Sequence, residues 1–292
     1  MNNPPFQPLV SVIINCHNSE KYLLDAMQSI YDQTYENWEI IFWDNASTDR
    51  SAKIALSFDS KVRYFFSDKK ANLGTARNAA LGMANGEFVG FLDCDDLWSP
   101  LKLEQQLDYF RINPDLGFVY SKAYIIDAVG QQKNIIPRSK DLSQGSIFSL
   151  LIHENFIPFP SVLFSKEKLI KLGGVPCDLF HSTDYSIFLS LSKNHPVVGI
   201  NSPMCSYRIH ENNLSNSQKL LGVIENISIL KKYLPSSEIK RALQNHFATL
   251  VIESFRAQDF QYFNSKVFFE HISISAFIFR FKNRLTYWKE GR

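Results

Sequence analysis

Phe88-Val-Gly-Phe-Leu-Asp-Cys-Asp-Asp-Leu-Trp98 is an apolar run that ends in three carboxylates within four residues. Its apolar half has the composition of a buried strand, and Pro100 with Lys102–Leu107 reads as the start of a helix. Asp93, Asp95 and Asp96 therefore fall at a strand-to-helix junction, which in an open α/β sheet is where ligands bind. Clustered acids repel one another unless a cation joins them, so the three read as a divalent-metal site. Hard oxygen ligands favour Mg²⁺ or Mn²⁺, ions that usually keep substrate phosphates as further ligands. The same acids also suit a helix N-terminus, and for Asp96 a cap fits at least as well as metal contact.

Outward from this stretch the chain alternates strands with helices. Leu9–Asn15 reads as a strand, and Glu20–Tyr31 carries helical spacing at Tyr22, Leu23, Ala26, Met27 and Ile30. Trp38–Trp43 is a second strand, Ala52–Phe58 a short helix begun by Ser47 and Asp49, and Val62–Phe66 a third strand. Thr75–Ala84 is the helix before the acidic stretch. Repeated β-α-β order predicts an α/β fold, a Rossmann-like, mostly parallel sheet flanked by helices, with one ligand crevice at the strand carboxyl ends. Asn15–Asn18, Asp44–Asn45 and Asp93–Asp96 all end strands and are expected to converge there. Beyond Leu116–Asp127 the pattern loosens. It suggests a turn at Val129–Gly130, a short helix near Ile147–His153, a strand at Ser161–Phe164 and a tight turn at Gly173-Gly174. A helix over Tyr185–Ser192 and strands at Val197–Ile200 and Met204–Ile209 follow, and from about Gln218 the sequence is helical.

A chain of 292 residues can bury a full core, and a formal net charge of +2 gives no support for a nucleic-acid surface. Cysteines at 16, 94, 177 and 205 show neither zinc spacing nor a Cys-x-x-Cys pair and read as reduced core thiols of a cytoplasmic protein. Met1-Asn-Asn-Pro-Pro-Phe-Gln-Pro8 has no basic start followed by a long apolar segment, which argues against a secretory signal.

Val10-Ser-Val-Ile-Ile-Asn-Cys-His-Asn18, Ser29-Ile-Tyr-Asp-Gln-Thr34 and Trp43-Asp-Asn-Ala-Ser-Thr-Asp49 occur in order, followed by Asn72-Leu-Gly-Thr-Ala-Arg-Asn78. Gly86-Glu87 then leads into Phe91-Leu-Asp-Cys-Asp-Asp96. In this order and spacing the blocks resemble a family 2 glycosyltransferase across residues 9–215. The resemblance implies a GT-A fold, an inverting transfer from a nucleotide-sugar and a divalent cation, Mn²⁺ or Mg²⁺. It divides the chain into a nucleotide-sugar-binding and catalytic domain, residues 1–215, and a C-terminal helical extension, residues 216–292.

Block by block, the resemblance makes Asp95 a direct metal ligand and places Asp93 by the metal, the donor ribose and the diphosphate. His17 and Asn18 match positions that line the nucleotide-base pocket, with His17 in place of the more usual tyrosine. Asp44 and Asn45 match two acids, the second of which hydrogen-bonds the base. The Asn45 amide both donates and accepts, so a UDP-sugar is favoured while a dTDP-sugar stays open. Asn72 and Arg77 match residues near the donor, where the planar, permanently charged arginine fork suits phosphate. The alternative for Arg77 is a solvated helix face, and Asn78 would cap or brace the loop. In His181-Ser-Thr-Asp-Tyr185, Asp184 matches the base that takes the acceptor proton, and Thr183 replaces the glutamate that often precedes it. Tyr207-Arg-Ile-His-Glu-Asn-Asn-Leu-Ser215 resembles the closing loop, with Arg208 screening the leaving group and His210 a further metal ligand. The implied acceptor is a glycan or lipid-linked glycan of bacterial surface polysaccharide.

Lys266–Arg292 mixes aromatic and basic residues. It reads as an interfacial helix at the inner membrane face, or as a helix packed on the catalytic domain or on a second subunit of a homodimer. Two other functions stay open. Phe91-Leu-Asp-Cys-Asp95 imitates the paired aspartates of a haloacid dehalogenase-type phosphatase, although Asp96-Leu97 stands where threonine or valine is usual. A non-catalytic nucleotide-sugar-binding protein of the same fold is the other, permitted by the departures at Asn45 and Thr183.

Overall fold

The computed structural model of the chain describes residues 6–213 and 218–258; the 266–292 tail lies outside the described residues. Element order begins β1 (Val10–Cys16), α1 (Glu20–Tyr31), β2 (Trp38–Asn45), α2 (Ser51–Ala55), β3 (Val62–Ser67), α3 (Leu73–Met83) and β4 (Phe88–Phe91). It continues β5 (Leu97–Trp98), α4 (Lys102–Ile112), β6 (Phe118–Ile126), β7 (Gln132–Ile136), α5 (Phe148–Leu151) and β8 (Leu163–Ser165). The last elements are α6 (Lys166–Lys171), α7 (Thr183–Asn194), β9 (Val197–Arg208), α8 (Lys219–Lys231) and α9 (Ser237–Ala257). Two compact units result. One holds the chain to Phe148 with Phe156–Glu211, the other Ser149–Asn155 with the chain from Asn212 onward.

The first unit is built on one sheet in the order β3-β2-β1-β4-β8-β6-β9-β5, with β7 paired to β6. Strands β3, β2, β1 and β4 are mutually parallel, β8 runs antiparallel between β4 and β6, and β9 is parallel to β6. This is the expected mostly parallel α/β sheet. Strands β1 and β2 are buried almost throughout, which explains why their sequences are near-continuous apolar runs rather than alternating ones. On one face Val10, Val12, Ile14, Ile40 and Phe42 form a core with Leu23, Ala26, Met27 and Ile30 of α1 and Leu103, Leu107 and Phe110 of α4. Each of these side chains larger than alanine contributes about 1.5–3 kcal/mol through its burial.

Several elements differ from the pattern read in the sequence. The two short strands expected at 197–200 and 204–209 are one continuous strand, β9. Asn201 and Ser202 are exposed and break the apolar pattern, yet β9 stays paired to β6 through register shifts on either side of Lys122. Strand β5 is only two residues long, too short to leave a periodic signal, and pairs antiparallel with Ser206 and Cys205. Helix α2 stops at Ala55 instead of reaching Phe58. Strand β7 is exposed over most of its length and α6 is largely charged, so neither shows the apolar spacing that would announce it.

Candidate active site

Strand β4 delivers the acidic stretch. After Phe91 the Leu92 amide still donates to Ile13 O (3.0 Å), and the chain then turns through Asp93, Cys94 and Asp95, closed by Asp96 N donating to Asp93 O (3.1 Å). The turn is pinned to the end of β1 by Cys94 Sγ, which donates to Asn15 O (3.4 Å). Each acid has a different environment. Asp93 Oδ1 accepts from Arg77 Nη2 at 2.8 Å. Asp95 Oδ2 lies 2.9 Å from His210 Nε2, and burial first, then the Asp93 charge, raises the Asp95 carboxyl above the usual carboxylate range. Asp96 is buried and accepts from the Arg208 amide at 2.9 Å, and burial pushes its carboxyl well up. Its other oxygen, Oδ2, is buried with no hydrogen-bond partner among the described residues. The helix-cap expectation for Asp96 fails, because the next helix, α4, begins at Lys102 behind Leu101.

The end of β9 reaches this turn through Arg208. Its backbone holds Asp96, its Nε donates to Asp95 O (2.8 Å), and its Nη1 to Asp127 O (3.3 Å). Its guanidinium also lies 4.6 Å over the ring of Tyr22, and the His210 ring sits 5.2 Å from the same ring. Tyr22, on α1, is a site residue that the sequence reading placed only on a helical face. Nothing in its local pattern distinguishes it from the core residues around it.

Arg77 is the second link. The residue is 4 % exposed, so it is no solvated helix-face arginine. Nη2 binds Asp93, Nη1 donates to Thr183 Oγ1 (3.0 Å), and the guanidinium lies 4.2 Å over Phe159. Thr183 opens α7, whose first turn carries Asp184. The loop before α7 is fastened to α3 as well. Asn72 caps α3 by accepting from Thr75 N (2.7 Å) and donates to Cys177 O (2.9 Å), while Asn78 Oδ1 accepts from Val175 N (3.0 Å). Asn78 thus braces the loop. Gly74 is required here, since a Cβ would lie 2.0 Å from Pro176 O.

The ends of β1 and β2 meet in a neighbouring network. His17 Nδ1 pairs with Asn45 O at 2.9 Å, and Asn18, at φ 52°, accepts from Thr48 N at 2.8 Å. Asp44 is fully buried, accepting from Ser47 N (2.8 Å) and Tyr64 Oη (2.7 Å). Asn45 closes a two-way pair with the peptide of Ala71, Nδ2 donating to Ala71 O and Oδ1 accepting from Ala71 N, both 2.9 Å. An ionised carboxylate, which only accepts, could not do both. Asp93, Asp95, Arg77, Arg208, His210 and the Thr183–Asp184 turn therefore form one bonded cluster. His17, Asn18, Asp44 and Asn45 form a second at the ends of β1 and β2, and Asn72 stands one residue from Ala71.

The donor set suits a divalent ion. Mg²⁺ and Mn²⁺ are commonly held by one or two carboxylates with substrate phosphates completing the shell. Asp95 and His210 offer a carboxylate and an imidazole, and a cation would offset the burial and the Asp93 charge that raise the Asp95 carboxyl. No group of three or more His, Cys, Asp or Glu side chains among the described residues makes a complete cage, so substrate oxygens would have to finish the shell.

The profile described as Glycosyl transferase family 2 matches residues 11–173. The chain belongs to this family. This family 2 transferase is 30% identical over 213 residues to the Escherichia coli protein UDP-Glc:alpha-D-GlcNAc-diphosphoundecaprenol beta-1,3-glucosyltransferase WfgD, covering 72% of this chain and 81% of the relative. Staphylococcus aureus TarS 1–349, solved in complex with UDP-GlcNAc, shares the fold at TM-score 0.64 and 18% identity, covering 85% of this chain and 72% of that one. The mannosyltransferase PcManGT of Pyrobaculum calidifontis, solved with GDP-Man and Mn²⁺, aligns at TM-score 0.59 and 16% identity over 87% and 77% of the two chains. The transferase is thus a glycosyltransferase of GT-A fold, and the phosphatase alternative falls with the family match. No helix among the described residues is long and apolar enough to cross a membrane.

Proposed function

We propose that this transferase moves a sugar, with inversion, from a nucleotide-sugar to a hydroxyl of a glycan or lipid-linked glycan, using Mn²⁺ or Mg²⁺ and favouring a UDP-sugar. One observation carries the reading. The Arg77 fork joins Asp93, just after β4, to Thr183, the neighbour of Asp184, so the acidic turn is bonded to the residue next to the candidate base. The UDP-sugar in the names of WfgD and of the TarS complex supports the donor class, and the diphosphoundecaprenol in the WfgD name supports a lipid-linked acceptor. The Mn²⁺ of PcManGT supports the cation.

Asp184 accepts the proton of the acceptor hydroxyl as its oxygen attacks the anomeric carbon. Asp95 and His210 would hold the divalent ion, which when bound supplies Lewis acidity to the diphosphate. Arg208, buried, with its guanidinium held on the Asp95 and Asp127 carbonyls, adds positive charge at that end of the site with no reorganisation as the leaving group gains charge. His17 and Asn45 would face the base and Asn72 the donor's other end, while Asn18 and Asp44 shape the turn that holds them.

The test is a transfer assay with labelled UDP-glucose and a GlcNAc-diphospho-lipid acceptor. Asp184→Ala should leave UDP binding intact and reduce transfer by about 10³-fold or more. Normal transfer by this variant would remove Asp184 from the mechanism.

A further inference from the structure

We infer that Thr183 is a positioning residue that sets the base Asp184 relative to the donor-facing acid Asp93, acting through Arg77; this rests on the function proposed above. The Arg77 fork is split between two elements. One nitrogen ends on a carboxylate that follows β4, the other on the hydroxyl that opens α7, and the face of the guanidinium is packed on Phe159. Thr183 is 0 % exposed and Arg77 is 4 % exposed, so neither side chain can exchange its partner for bulk water. An unpaired guanidinium N–H buried there is costly, which makes the contact a constraint on where α7 begins. Asp184 is the next residue, so whatever fixes Thr183 fixes the base within one peptide unit.

The chemistry of the hydroxyl matters as well. A carboxylate at this position would compete with Asp93 for the one positive charge of Arg77. A hydroxyl accepts the hydrogen bond without drawing on that charge, so Arg77 stays paired to Asp93 while still locating α7. Thr183 thus keeps the geometric link and drops the second charge. On this account the divalent ion depends on Asp95 and His210 more than on Asp93, whose charge Arg77 already offsets.

The experiment compares Thr183→Val, which keeps the shape and loses the hydroxyl, with Thr183→Ser, which keeps the hydroxyl. UDP affinity in Mn²⁺ is measured by calorimetry, and turnover by UDP release as the glucosyl group passes from UDP-glucose to the hydroxyl of a GlcNAc-diphospho-lipid acceptor, in the full chain. Thr183→Val should lower kcat by about tenfold or more with UDP affinity changed less than about twofold, and Thr183→Ser should retain most of the wild-type kcat. Wild-type turnover in Thr183→Val, or parallel loss of affinity and turnover, overturns the inference. A thermal double-mutant cycle of Thr183→Val with Arg77→Lys reads the contact without any substrate. Non-additive shifts in Tm support the link, and additive shifts overturn it. Should the wild-type chain neither bind UDP nor cleave UDP-glucose, the donor assignment fails and the cycle alone decides the role of Thr183.

Discussion

Lys102 lies fully buried in the first turn of α4, donating to Gln106 Oε1 at 2.6 Å with its ammonium 4.1 Å over the Trp98 ring. Burial lowers its pKa from 10.5 to about 7. A base whose pKa falls on folding penalises the native state fully below the folded value, and the penalty shrinks as pH rises toward the unfolded value. Lys102→Met should therefore be more stable than wild type at pH 7, with an advantage that narrows by about 2 kcal/mol by pH 9. Urea titrations at the two pH values check this, and an advantage that does not change with pH contradicts it. Asn45 gives a second expectation. Asn45→Asp places a carboxylate oxygen against Ala71 O, so one hydrogen bond becomes a repulsion. Stability should fall by about 1–3 kcal/mol, read from the denaturation midpoint. Both Asn45 and Thr183 were visible in the sequence as departures from the family's acids. What the departures accomplish was not, because their partners Ala71 and Arg77 are distant in sequence and matched only by folding. Tyr22 left no trace at all, since an aromatic at helical spacing reads as core until the closing loop is seen to rest on it.

Helix α3 shows how one element positions the centre. Its cap, Asn72, and its buried arginine both reach across to the segment that carries the base, and its glycine lets the Pro176 carbonyl come close. Gly74→Ala should cost about 2 kcal/mol and depress transfer more than UDP binding, because the displaced segment is the one before Asp184. Thermal denaturation paired with calorimetry tests this, and unchanged stability would contradict the close approach. Strands β1 and β2 were legible as unbroken apolar runs, and helices α1 and α3 because each buries a face with helical spacing. Strand β9 read as two strands, since polar Asn201 and Ser202 interrupt its apolar pattern where the backbone pairing continues. Strand β5 was too short for any period, though it is the element that carries the chain from Asp96 to its pairing with β9.

The sheet-bearing unit contains every residue assigned here to donor, ion and base, from His17 to His210. The order β3-β2-β1-β4 follows from repeated β-α-β connections, and the candidate site lies where β1, β2 and β4 end together. The antiparallel insertion of β8 between β4 and β6 is not written in any local motif and emerges only from the completed sheet. The most direct measurement is a calorimetric titration of UDP into the full chain and into Asp95→Ala, each with and without Mn²⁺. The wild-type chain should bind UDP at least about tenfold more tightly with the ion, and Asp95→Ala should bind it equally with and without. Ion-independent binding by the wild-type chain, or an undiminished Mn²⁺ effect in Asp95→Ala, would contradict a diphosphate held at the end of β4.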